Sequence, residues 1–478
     1  MKILYITSEA APYAASGGLG DVMGALPHAV GNGGNEVAVM LPLYKNMKQE
    51  HRNRLELVID ISFNLSWRKT GASIFKIVDN GVTYYFVENQ YYFNRPNLYG
   101  EFDDGERFAF FNRAVVEYLL QSGNIPDVLH ANDWQAALAI VYLKTEYSDI
   151  AAFEKIKTVY TIHNIEYQGK YDPYILGDVF GLDGKYRNIL EFDGALNLMK
   201  GAIVASDYVT TVSPNYANEL ETDYFAFGLA GIIRSVKSKM AGVINGIDYG
   251  YFSPECGGDI YKSYSASDLK SGKATNKIAF CNEVGFEYDE RTPLIVMITR
   301  LATAKGIDLV LCILEELLGE NVQIAVLGTG EKEYEDKLRD IESRHPNMRA
   351  ILKFDRVISK KMYASADMFL MPSKSEPCGL AQMIACSYGT VPIVRSVGGL
   401  YDSISNYRDG GNGFRFDNYN AHELLFTIKD ALALYADSEK WTTLAERAKL
   451  SNFTWEHSAE KYIDIYNKLV NNRKQIND

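Results

Sequence analysis

Short apolar runs alternate with amphipathic stretches of helical period along most of the chain. In the N-terminal half this pattern predicts strands at Lys2–Thr7, Glu36–Leu41 and Leu57–Phe63, and helices from Leu19 to Val30 and from near Arg107. Runs that are apolar throughout are typical of fully buried strands. Their alternation with helices predicts a doubly wound parallel sheet.

Three further features complete the first half. The run SIFKIVDNGVTYYFVE predicts a β-hairpin with an Asp-Asn-Gly turn. Two short strands end at His130 and at His163, a helix begins at Trp134 between them, and a helical region follows from Ile189 to Ser206. The polar, irregular stretch from Pro254 to Gly272 then marks a domain boundary.

The second half repeats the strand and helix rhythm, which predicts a second doubly wound sheet. It restarts with PLIVMIT and continues through QIAVLG, MRAILKF, MFLMPS and VPIVRS. Three helical patterns follow Asn418, and the last is amphipathic. We therefore predict one domain at residues 1–250, a second at 251–455 and a final helix at 456–478.

The stretch from Met368 to Leu400 concentrates the chemistry of this second half. A buried strand at Met368–Met371 leads into a loop with Glu376, and then into a helix that Gly389 ends. Ligands of parallel sheets bind at the carboxyl ends of strands, near helix amides that attract phosphate. A carboxylate there accepts hydrogen bonds from sugar hydroxyls, which suits a ligand that is half phosphate and half sugar. The alternative is that Glu376 and Pro377 only begin a helix.

Glycine pairs stand between a strand and a helix in both halves. Gly17 and Gly18 follow the first strand in SGGLGD, and Gly398 and Gly399 follow VPIVRS in VGGLYD. Each pair favours a phosphate-binding loop at the top of a parallel sheet. A tight turn that needs glycine for its backbone angles explains each pair as well.

Four charged or titratable side chains lie where strands end. Asp133 and His163 follow neighbouring strands of the first sheet, and Arg300 and Lys305 flank the entry of a helix in the second half, where a phosphate would bind. Alternatives stay open for each pair. Asp133 would cap a helix, His163 would be a satisfied core residue, and the two cations would be solvated surface charges.

Composition narrows the classes of partner. The chain has 478 residues, of which 47% are hydrophobic and 23% charged, and this length fits two large globular domains. A net charge of -12 argues against a nucleic-acid partner. Five cysteines without a C-x-x-C pair argue against a disulfide framework or a zinc site. Without a signal-peptide pattern or an apolar run of about 18 residues, we predict a soluble, cytoplasmic protein with no membrane partner.

The motifs, in their order along nearly the whole chain, resemble those of one family. HANDWQAAL, TIHNIEYQG, VINGIDYGYFSP, ITRLATAKGIDL, VLGTGE, PSKSEPCGLAQM and the two GGL loops are similar to the bacterial and plant glycogen and starch synthases of glycosyltransferase family 5. The resemblance implies a GT-B architecture of two Rossmann-like domains facing a central cleft, with the last helix crossing back to the N-terminal domain. It also implies transfer of glucose from ADP-glucose to the non-reducing end of an α-1,4-glucan, with retention of configuration.

The resemblance further implies roles for individual residues. The catalytic set is Asp133, His163, Arg300, Lys305 and Glu376; the donor-binding set is Ala15, Ser16, Gly17, Gly18, Asn245, Gly328, Cys378, Gly379 and Leu380; the acceptor-binding set is Tyr91, Tyr92 and Trp134. A nucleoside diphosphate leaves as an anion, so preorganised cations serve its departure. The chain has no Asp-x-Asp pair, and we expect no metal ion or other cofactor.

Two positions depart from the family pattern. Ala15 stands where the family's K-x-G-G-L loop has lysine, which removes one cation from the donor site, and Ala381 stands where threonine is frequent. Two alternatives to an ADP-glucose-dependent synthase therefore stay open. One is a related GT-B transferase that uses a UDP-sugar, and the other is a glucan-binding homologue with impaired turnover.

Overall fold

A computed structural model describes the backbone of residues 1–477 and the side chains of residues 1–471. The chain forms two compact units: unit 1 holds Met1–Gly246 and the segment from Trp455 onward, and unit 2 holds Ile247–Thr454. The chain thus leaves unit 1 at Gly246, where the sequence predicted residue 250, and returns at Trp455, where the sequence predicted residue 456.

Unit 1 contains a nine-stranded sheet and a small three-stranded sheet. The strands are β1 (Lys2–Ile6), β2 (Glu36–Pro42), β3 (Glu56–Leu65), β4 (Arg68–Asp79), β5 (Val82–Glu88), β6 (Val128–Asn132), β7 (Lys157–Ile162), β8 (Lys170–Tyr171), β9 (Glu191–Phe192), β10 (Ala195–Asn197), β11 (Tyr208–Thr211) and β12 (Met240–Gly242). The helices are α1 (Gly18–Asn32), α2 (Gln49–Arg52), α3 (Gln90–Phe93), α4 (Asp104–Ser122), α5 (Ala137–Lys144), α6 (Ile175–Asp178), α7 (Arg187–Leu190), α8 (Leu198–Ala205), α9 (Pro214–Glu219) and α10 (Ala230–Ser235).

The large sheet of unit 1 has the order β12-β11-β7-β6-β1-β2-β5-β4-β3. Every strand pair from β12 to β5 is parallel, and β4 and β3 extend the sheet as antiparallel strands. The predicted hairpin is confirmed between β4 and β5, with positive φ angles at Asn80 and Gly81. Strand order reverses at the neighbouring pair β1 and β6, and such a switch point is where doubly wound sheets bind ligands.

Unit 2 contains one parallel six-stranded sheet. Its strands are β13 (Leu294–Ile298), β14 (Gln323–Leu327), β15 (Met348–Ile351), β16 (Met368–Met371), β17 (Val391–Arg395) and β18 (Phe414–Phe416). Its helices are α11 (Leu269–Val284), α12 (Ile307–Leu318), α13 (Lys332–Arg344), α14 (Arg356–Ser365), α15 (Ala381–Ser387), α16 (Gly398–Ser403), α17 (Ala421–Tyr435) and α18 (Ser438–Lys449).

The sheet of unit 2 has the order β15-β14-β13-β16-β17-β18. Counted within the unit this is 3-2-1-4-5-6, the order of a dinucleotide-binding sheet, and its switch point lies between β13 and β16. All residues of β14 and β16 are buried, as the uniformly apolar runs predicted. The predicted fold class, two doubly wound α/β sheets of Rossmann type, is confirmed.

The last helix, α19 (Trp455–Asn477), packs against α1 of unit 1. Its inward face carries Tyr462 and Tyr466, which are buried in the core of that unit. The Tyr466 hydroxyl lies 2.7 Å from His130 Nδ1 and 2.9 Å from the Tyr5 hydroxyl, so it joins the first strand and β6. The amphipathic pattern of this helix therefore reflects burial in unit 1.

Some predicted element boundaries were wrong. The helix expected near Arg107 begins three residues earlier, and the one expected at Trp134 starts as a 3₁₀ turn before α5. The helical region predicted from Ile189 to Ser206 is interrupted by β9 and β10, because Asp193 and Gly194 take positive φ angles and form a turn. No helix in the described part of the chain is long and apolar enough to span a bilayer.

Candidate active site

The switch point of unit 2 brings Lys305 and Glu376 together. Lys305 ends a 3₁₀ turn that follows β13, and Glu376 lies in the loop that follows β16. Lys305 Nζ lies 2.7 Å from Glu376 Oε2, and the Ser373 hydroxyl donates to the same oxygen at 3.0 Å. The carboxylate is buried with 9% of its side chain exposed, and 25% of the lysine side chain is exposed. The second carboxylate oxygen, Oε1, accepts no hydrogen bond from the described residues.

The loop that carries Lys305 is fixed to the loop that carries Glu376. Gly306 has a φ of +76°, and a Cβ there would lie 2.1 Å from the Pro372 carbonyl oxygen, so only glycine fits. The Lys374 amide donates to the Ala304 carbonyl at 3.0 Å. These contacts set the lysine beside the carboxylate.

The second glycine pair supports Glu376 from behind. The Gly399 amide donates to the Glu376 carbonyl at 3.1 Å. A Cβ at Gly398 would lie 2.0 Å from the Glu376 carbonyl oxygen, and one at Gly399 would lie 2.2 Å from that of Cys378. Both glycines are buried against the backbone of residues 376–378, so their lack of a side chain serves close packing, and the phosphate-binding role of this loop stays a prediction.

Other predicted residues of unit 2 lie at the same edge of the sheet. Arg300 is exposed and, within the described part of the chain, forms no ion pair. Gly328 has a φ of +157° and would place a Cβ 1.8 Å from the Thr299 carbonyl oxygen, so it serves close backbone packing. Cys378 is buried, whereas the amides of Gly379 and Leu380 have no hydrogen-bond acceptor among the described residues. Free amides and a free cation at one edge are what an anionic group binds.

The switch point of unit 1 is organised by a residue that the sequence patterns did not reveal. Glu9, in the loop after β1, is buried and accepts hydrogen bonds from the Ser16 amide, from the Gly17 amide at 3.2 Å and from the Ser16 hydroxyl at 2.8 Å. The Tyr99 hydroxyl donates to Glu9 at 2.5 Å and lies 2.7 Å from the Ser16 hydroxyl. The sequence did contain a signal for Glu9: it is an acidic residue shortly after a buried strand, which is also the position of Glu376 in the second half.

The first glycine loop differs from the second in being open. Ala15, Ser16, Gly17 and Gly18 are all exposed, and a Cβ added to either glycine would meet nothing within 4 Å. The Gly17 amide is already used by Glu9, whereas the Gly18 amide at the first turn of α1 has no acceptor among the described residues. With alanine at position 15, this loop contributes amides without a cation.

Asp133 lies beside Glu9 at this edge and does not cap a helix. It has a φ of 54° and makes no cap hydrogen bond. Its Oδ1 instead accepts from the His163 amide at 2.8 Å and from the Asn164 amide at 3.5 Å, which ties β6 to β7. Burial raises the pKa of Asp133 to about 7, against the lowering effect of these amides, and Glu9 adds to the rise.

His163 is held as a neutral imidazole. Its Nε2 lies 2.9 Å from Asn132 Oδ1, and the Asn132 amide nitrogen donates to the Ile6 carbonyl at 3.2 Å. Oδ1 of Asn132 is therefore an acceptor, so the proton of His163 is on Nε2 and Nδ1 is left as an acceptor. Burial lowers the pKa of His163 to about 3, so the ring carries no charge at neutral pH.

One predicted acceptor residue is corrected. Tyr92 is buried, stacks on Phe110 at 4.4 Å and donates its hydroxyl to Glu106 at 2.8 Å, so its ring is part of the core. Tyr91 has 68% of its surface exposed and presents its ring to solvent, with Arg95 5.8 Å from the ring centre.

Trp134 and Asn245 complete the predicted set in unit 1. The Trp134 ring packs against Gly169, whose absent side chain makes room for it, and edge-on against Phe108 at 5.2 Å. Asn245 is buried and its Oδ1 has no hydrogen-bond partner in the described part of the chain. A buried acceptor without a partner marks a position for a ligand or a water molecule. Among the described residues, no group of three or more His, Cys, Asp or Glu side chains is placed to hold a metal ion.

Two Rossmann-type units with these residues at their switch points define a glycosyltransferase of the GT-B class. Comparison with known proteins agrees with this class. Residues 2–235 match the starch synthase catalytic domain and residues 284–449 match the glycosyl transferases group 1 domain.

Full-length relatives give the family. The chain is 44% identical over 477 residues to a glycogen synthase of Clostridium beijerinckii, covering 98% of this chain and 99% of that protein. It is 42% identical over 483 residues to a glycogen synthase of Bacillus subtilis, covering 100% of both. The catalytic domain of starch synthase IV from Arabidopsis thaliana, solved with ADP and acarbose, has a TM-score of 0.88 and 33% identity over 98% of this chain and 99% of that one. The chain belongs to the glycogen and starch synthase family.

Proposed function

We propose that the chain transfers glucose from ADP-glucose to the non-reducing end of an α-1,4-glucan and retains the anomeric configuration. The observation that carries the proposal is the Lys305–Glu376 pair at the switch point of unit 2, with a contact of 2.7 Å. Support comes from the solved starch synthase relative, which is bound to ADP and acarbose, a nucleotide and a sugar-like ligand.

The pair serves two parts of one donor. Lys305, with Arg300 at the same edge, compensates the charge of the diphosphate, and the amides of Gly379 and Leu380 add neutral donors. Glu376 keeps Oε2 on Lys305 and Ser373, which leaves Oε1 to accept a hydrogen bond from a glucose hydroxyl. A buried carboxylate with one free oxygen distinguishes a sugar hydroxyl from a phosphate oxygen, because it repels the latter.

Departure of the nucleoside diphosphate needs compensation of negative charge more than it needs a proton. A preorganised cation contributes roughly 10²- to 10³-fold to such a step when it is aimed at the developing charge. We expect Lys305 and Arg300 to provide this compensation, and we expect EDTA to leave turnover unchanged.

Unit 1 provides groups for the sugar. The neutral His163 ring has an acceptor at Nδ1, and the partly protonated Asp133 carboxyl can accept or donate a hydrogen bond near neutral pH. Trp134 and Tyr91 offer aromatic faces of the kind on which glucose rings stack. We assign the acceptor glucan to these aromatic groups.

The decisive test compares donors on the purified protein. With maltoheptaose as acceptor, ADP-glucose should give release of nucleoside diphosphate and chain elongation at a higher kcat/KM than UDP-glucose, and the new linkage should be digestible by an α-1,4-specific amylase. A preference for UDP-glucose would favour the related GT-B transferase. Binding of glucan with no nucleoside diphosphate released from either donor would favour the turnover-impaired homologue.

A further inference from the structure

Unit 2 contains a cavity at the opposite edge of its sheet from Lys305 and Glu376. Its volume is about 340 Å³, within the size range of small-molecule sites. One face of α11, the corner between α17 and α18 and the loop ahead of β13 line it. Asp367, which lines the cavity, directly precedes β16, so the cavity lies at the amino ends of the strands.

The walls are largely apolar and aromatic. Trp441 is 8% exposed and meets Tyr435 edge-to-face with ring centres 5.2 Å apart. Leu269 and Ala274 on α11 continue this surface, and Tyr288 adds a third aromatic ring. Such walls accept a flat apolar group of one or two rings.

Two lysines form the polar part of the cavity, Lys277 being buried and Lys273 partly buried, and different groups compensate their charges. Lys277 Nζ contacts the Asp367 carboxylate at 2.7 Å. Lys273 Nζ contacts no carboxylate: it lies 2.7 Å from Thr390 Oγ1, 3.3 Å from the carbonyl oxygens of Ala364 and Tyr388, and 3.4 Å from that of Tyr363, at the end of α14. The negative end of that helix compensates part of its charge.

The direct partners of the Lys273 ammonium are all neutral oxygens, so no carboxylate in contact with it balances its charge. Burial lowers its pKa to about 7; Asp367 opposes this shift, whereas Lys277 and Lys449 add to it. A bound anion would supply the missing negative charge, because an opposite charge nearby favours the ammonium form.

The cavity as a whole is positive in an acidic protein. Four basic side chains line it, Lys270, Lys273, Lys277 and Arg291, against two acidic ones, Glu290 and Asp367. The whole chain has a net charge of -12. Lys270 is exposed and donates only to the Ser438 hydroxyl, at 3.2 Å. A positive cavity with aromatic walls selects a ligand that is both anionic and aromatic.

We propose that this cavity binds a small organic phosphate that carries an aromatic ring, with the ring against Trp441 and Tyr435 and the phosphate at Lys270, where the charge of Lys273 adds to the attraction. This site is separate from the donor-binding residues, since it lies at the amino edge of the sheet and they lie at the carboxyl edge. Neither half of the ligand is sufficient alone: the ring fills the apolar walls, and the phosphate meets the excess positive charge.

The test uses phenyl phosphate as the probe, in calorimetric titrations of the full chain saturated with ADP so that nucleotide-binding residues are occupied. We expect one bound phenyl phosphate per chain, with phenol and inorganic phosphate each binding at least tenfold more weakly. Lys270→Glu should weaken binding roughly fivefold or more, the effect of one partly exposed charge pair. Lys262→Glu, an exposed lysine outside the cavity, is the matched control and should bind as the wild type does.

A second variant tests the contribution of the apolar walls. Ala274→Phe fills the space beside Trp441 and should abolish phenyl phosphate binding, while thermal unfolding and turnover with ADP-glucose report that the fold is kept. No binding of phenyl phosphate to the wild type, equal binding of phenol, or equal binding by Lys270→Glu and the wild type would each overturn the proposal. Turnover is measured separately, so loss of this site and failure of the proposed synthase activity are distinguishable.

Discussion

The two switch points share a backbone plan and differ in charge. In unit 2 a buried carboxylate, Glu376, is paired with the ammonium of Lys305 at 2.7 Å. In unit 1 a buried carboxylate, Glu9, is surrounded by amides and hydroxyls, and no lysine or arginine of the described chain contacts it. We infer from this difference that the switch point of unit 2, where a cation accompanies the carboxylate, is the one better suited to a negatively charged ligand.

The two Gly-Gly-Leu tripeptides show the same divergence. Gly17 and Gly18 are exposed with open space around them, whereas Gly398 and Gly399 are pressed against the backbone of residues 376–378. An identical tripeptide is therefore open to solvent in one unit and packed behind Glu376 in the other.

The strongest test of this contrast removes the cation of unit 2. Lys305→Ala should lower kcat with ADP-glucose by roughly 10²-fold or more, because it deletes the charge that compensates the leaving diphosphate. Steady-state kinetics with maltoheptaose measure the effect. Lys332→Ala, a lysine with 88% of its side chain exposed on the same unit, should leave kcat unchanged.

A buried, unpaired Glu376 in that variant could itself destabilise the fold. The double variant Lys305→Met with Glu376→Gln removes both charges and controls for this effect. If Lys305→Ala unfolds at the wild-type temperature and turns over at the wild-type rate, the assigned role of the cation is wrong.

The second test disturbs the packing of Gly399 against the loop that carries Glu376. Gly399→Ala places a Cβ 2.2 Å from the Cys378 carbonyl oxygen, so the loop must shift, at a cost of about 1–3 kcal/mol in the free energy of unfolding. A displacement of about 1 Å at the reacting groups costs roughly 10²-fold in rate. Denaturant unfolding and kcat measure the two effects. Gly184→Ala, whose added Cβ meets nothing within 4 Å and which lies outside the predicted site residues, is the matched control.

The sequence predicted the two sheets better than it predicted which glycine pair is open and which is packed. Uniformly apolar strands such as β14 and β16 identify themselves, because only a sheet covered on both faces buries every residue. Whether a glycine pair is open or packed depends on which backbone lies opposite, and no local pattern encodes that contact. The break at Asp193 and Gly194 was missed for a related reason, since flanking helical segments masked a two-residue turn.

The third test concerns the carboxyl of unit 1. Burial raises the pKa of Asp133 in the folded chain to about 7, well above the ordinary aspartate pKa of 3.8 that applies to the unfolded chain. This group therefore favours the native state fully below the ordinary aspartate pKa and loses that contribution as pH rises through about 7. Asp133→Asn keeps the acceptor for the His163 amide but cannot ionise. Its unfolding temperature should therefore exceed that of the wild type at pH 8, with a smaller difference at pH 5.

Thermal unfolding at the two pH values checks this prediction, and the comparison between variants cancels the titration of all other groups. A difference between Asp133→Asn and the wild type that is equal at pH 5 and pH 8 would show that the carboxyl does not titrate in this range.

The smallest expected effect comes from restoring the missing cation of unit 1. Ala15→Lys adds an ammonium next to the open glycine loop, and position 15 is exposed enough to hold it. The KM for ADP-glucose should fall about two- to fivefold, as for one exposed charge pair. Ala15→Gln, with similar length and no charge, should leave KM unchanged, and an equal fall in both variants would show that charge is not the cause.

The sequence predicted the positions of candidate residues where a strand end carries an unusual side chain, and it did not predict burial that depends on long-range contacts; the roles of these residues stay predictions. Glu376, Lys305, Asp133 and His163 all lie at carboxyl ends of parallel strands, as the alternation of strands and helices indicated. The burial of Tyr92 was not predicted, because it depends on Phe110, 18 residues further along the chain. Glu9 was not identified at all, because its partners lie in the irregular loop around Ser16.

Calorimetric titration of ADP measures the central claim most directly, namely that Lys305 at the switch point of unit 2 binds the nucleotide diphosphate. The account predicts that Lys305→Ala weakens ADP binding roughly tenfold or more, the effect of one charge-assisted hydrogen bond, while Lys332→Ala binds as the wild type does. Equal affinity of the wild type and a folded Lys305→Ala variant for ADP would contradict it.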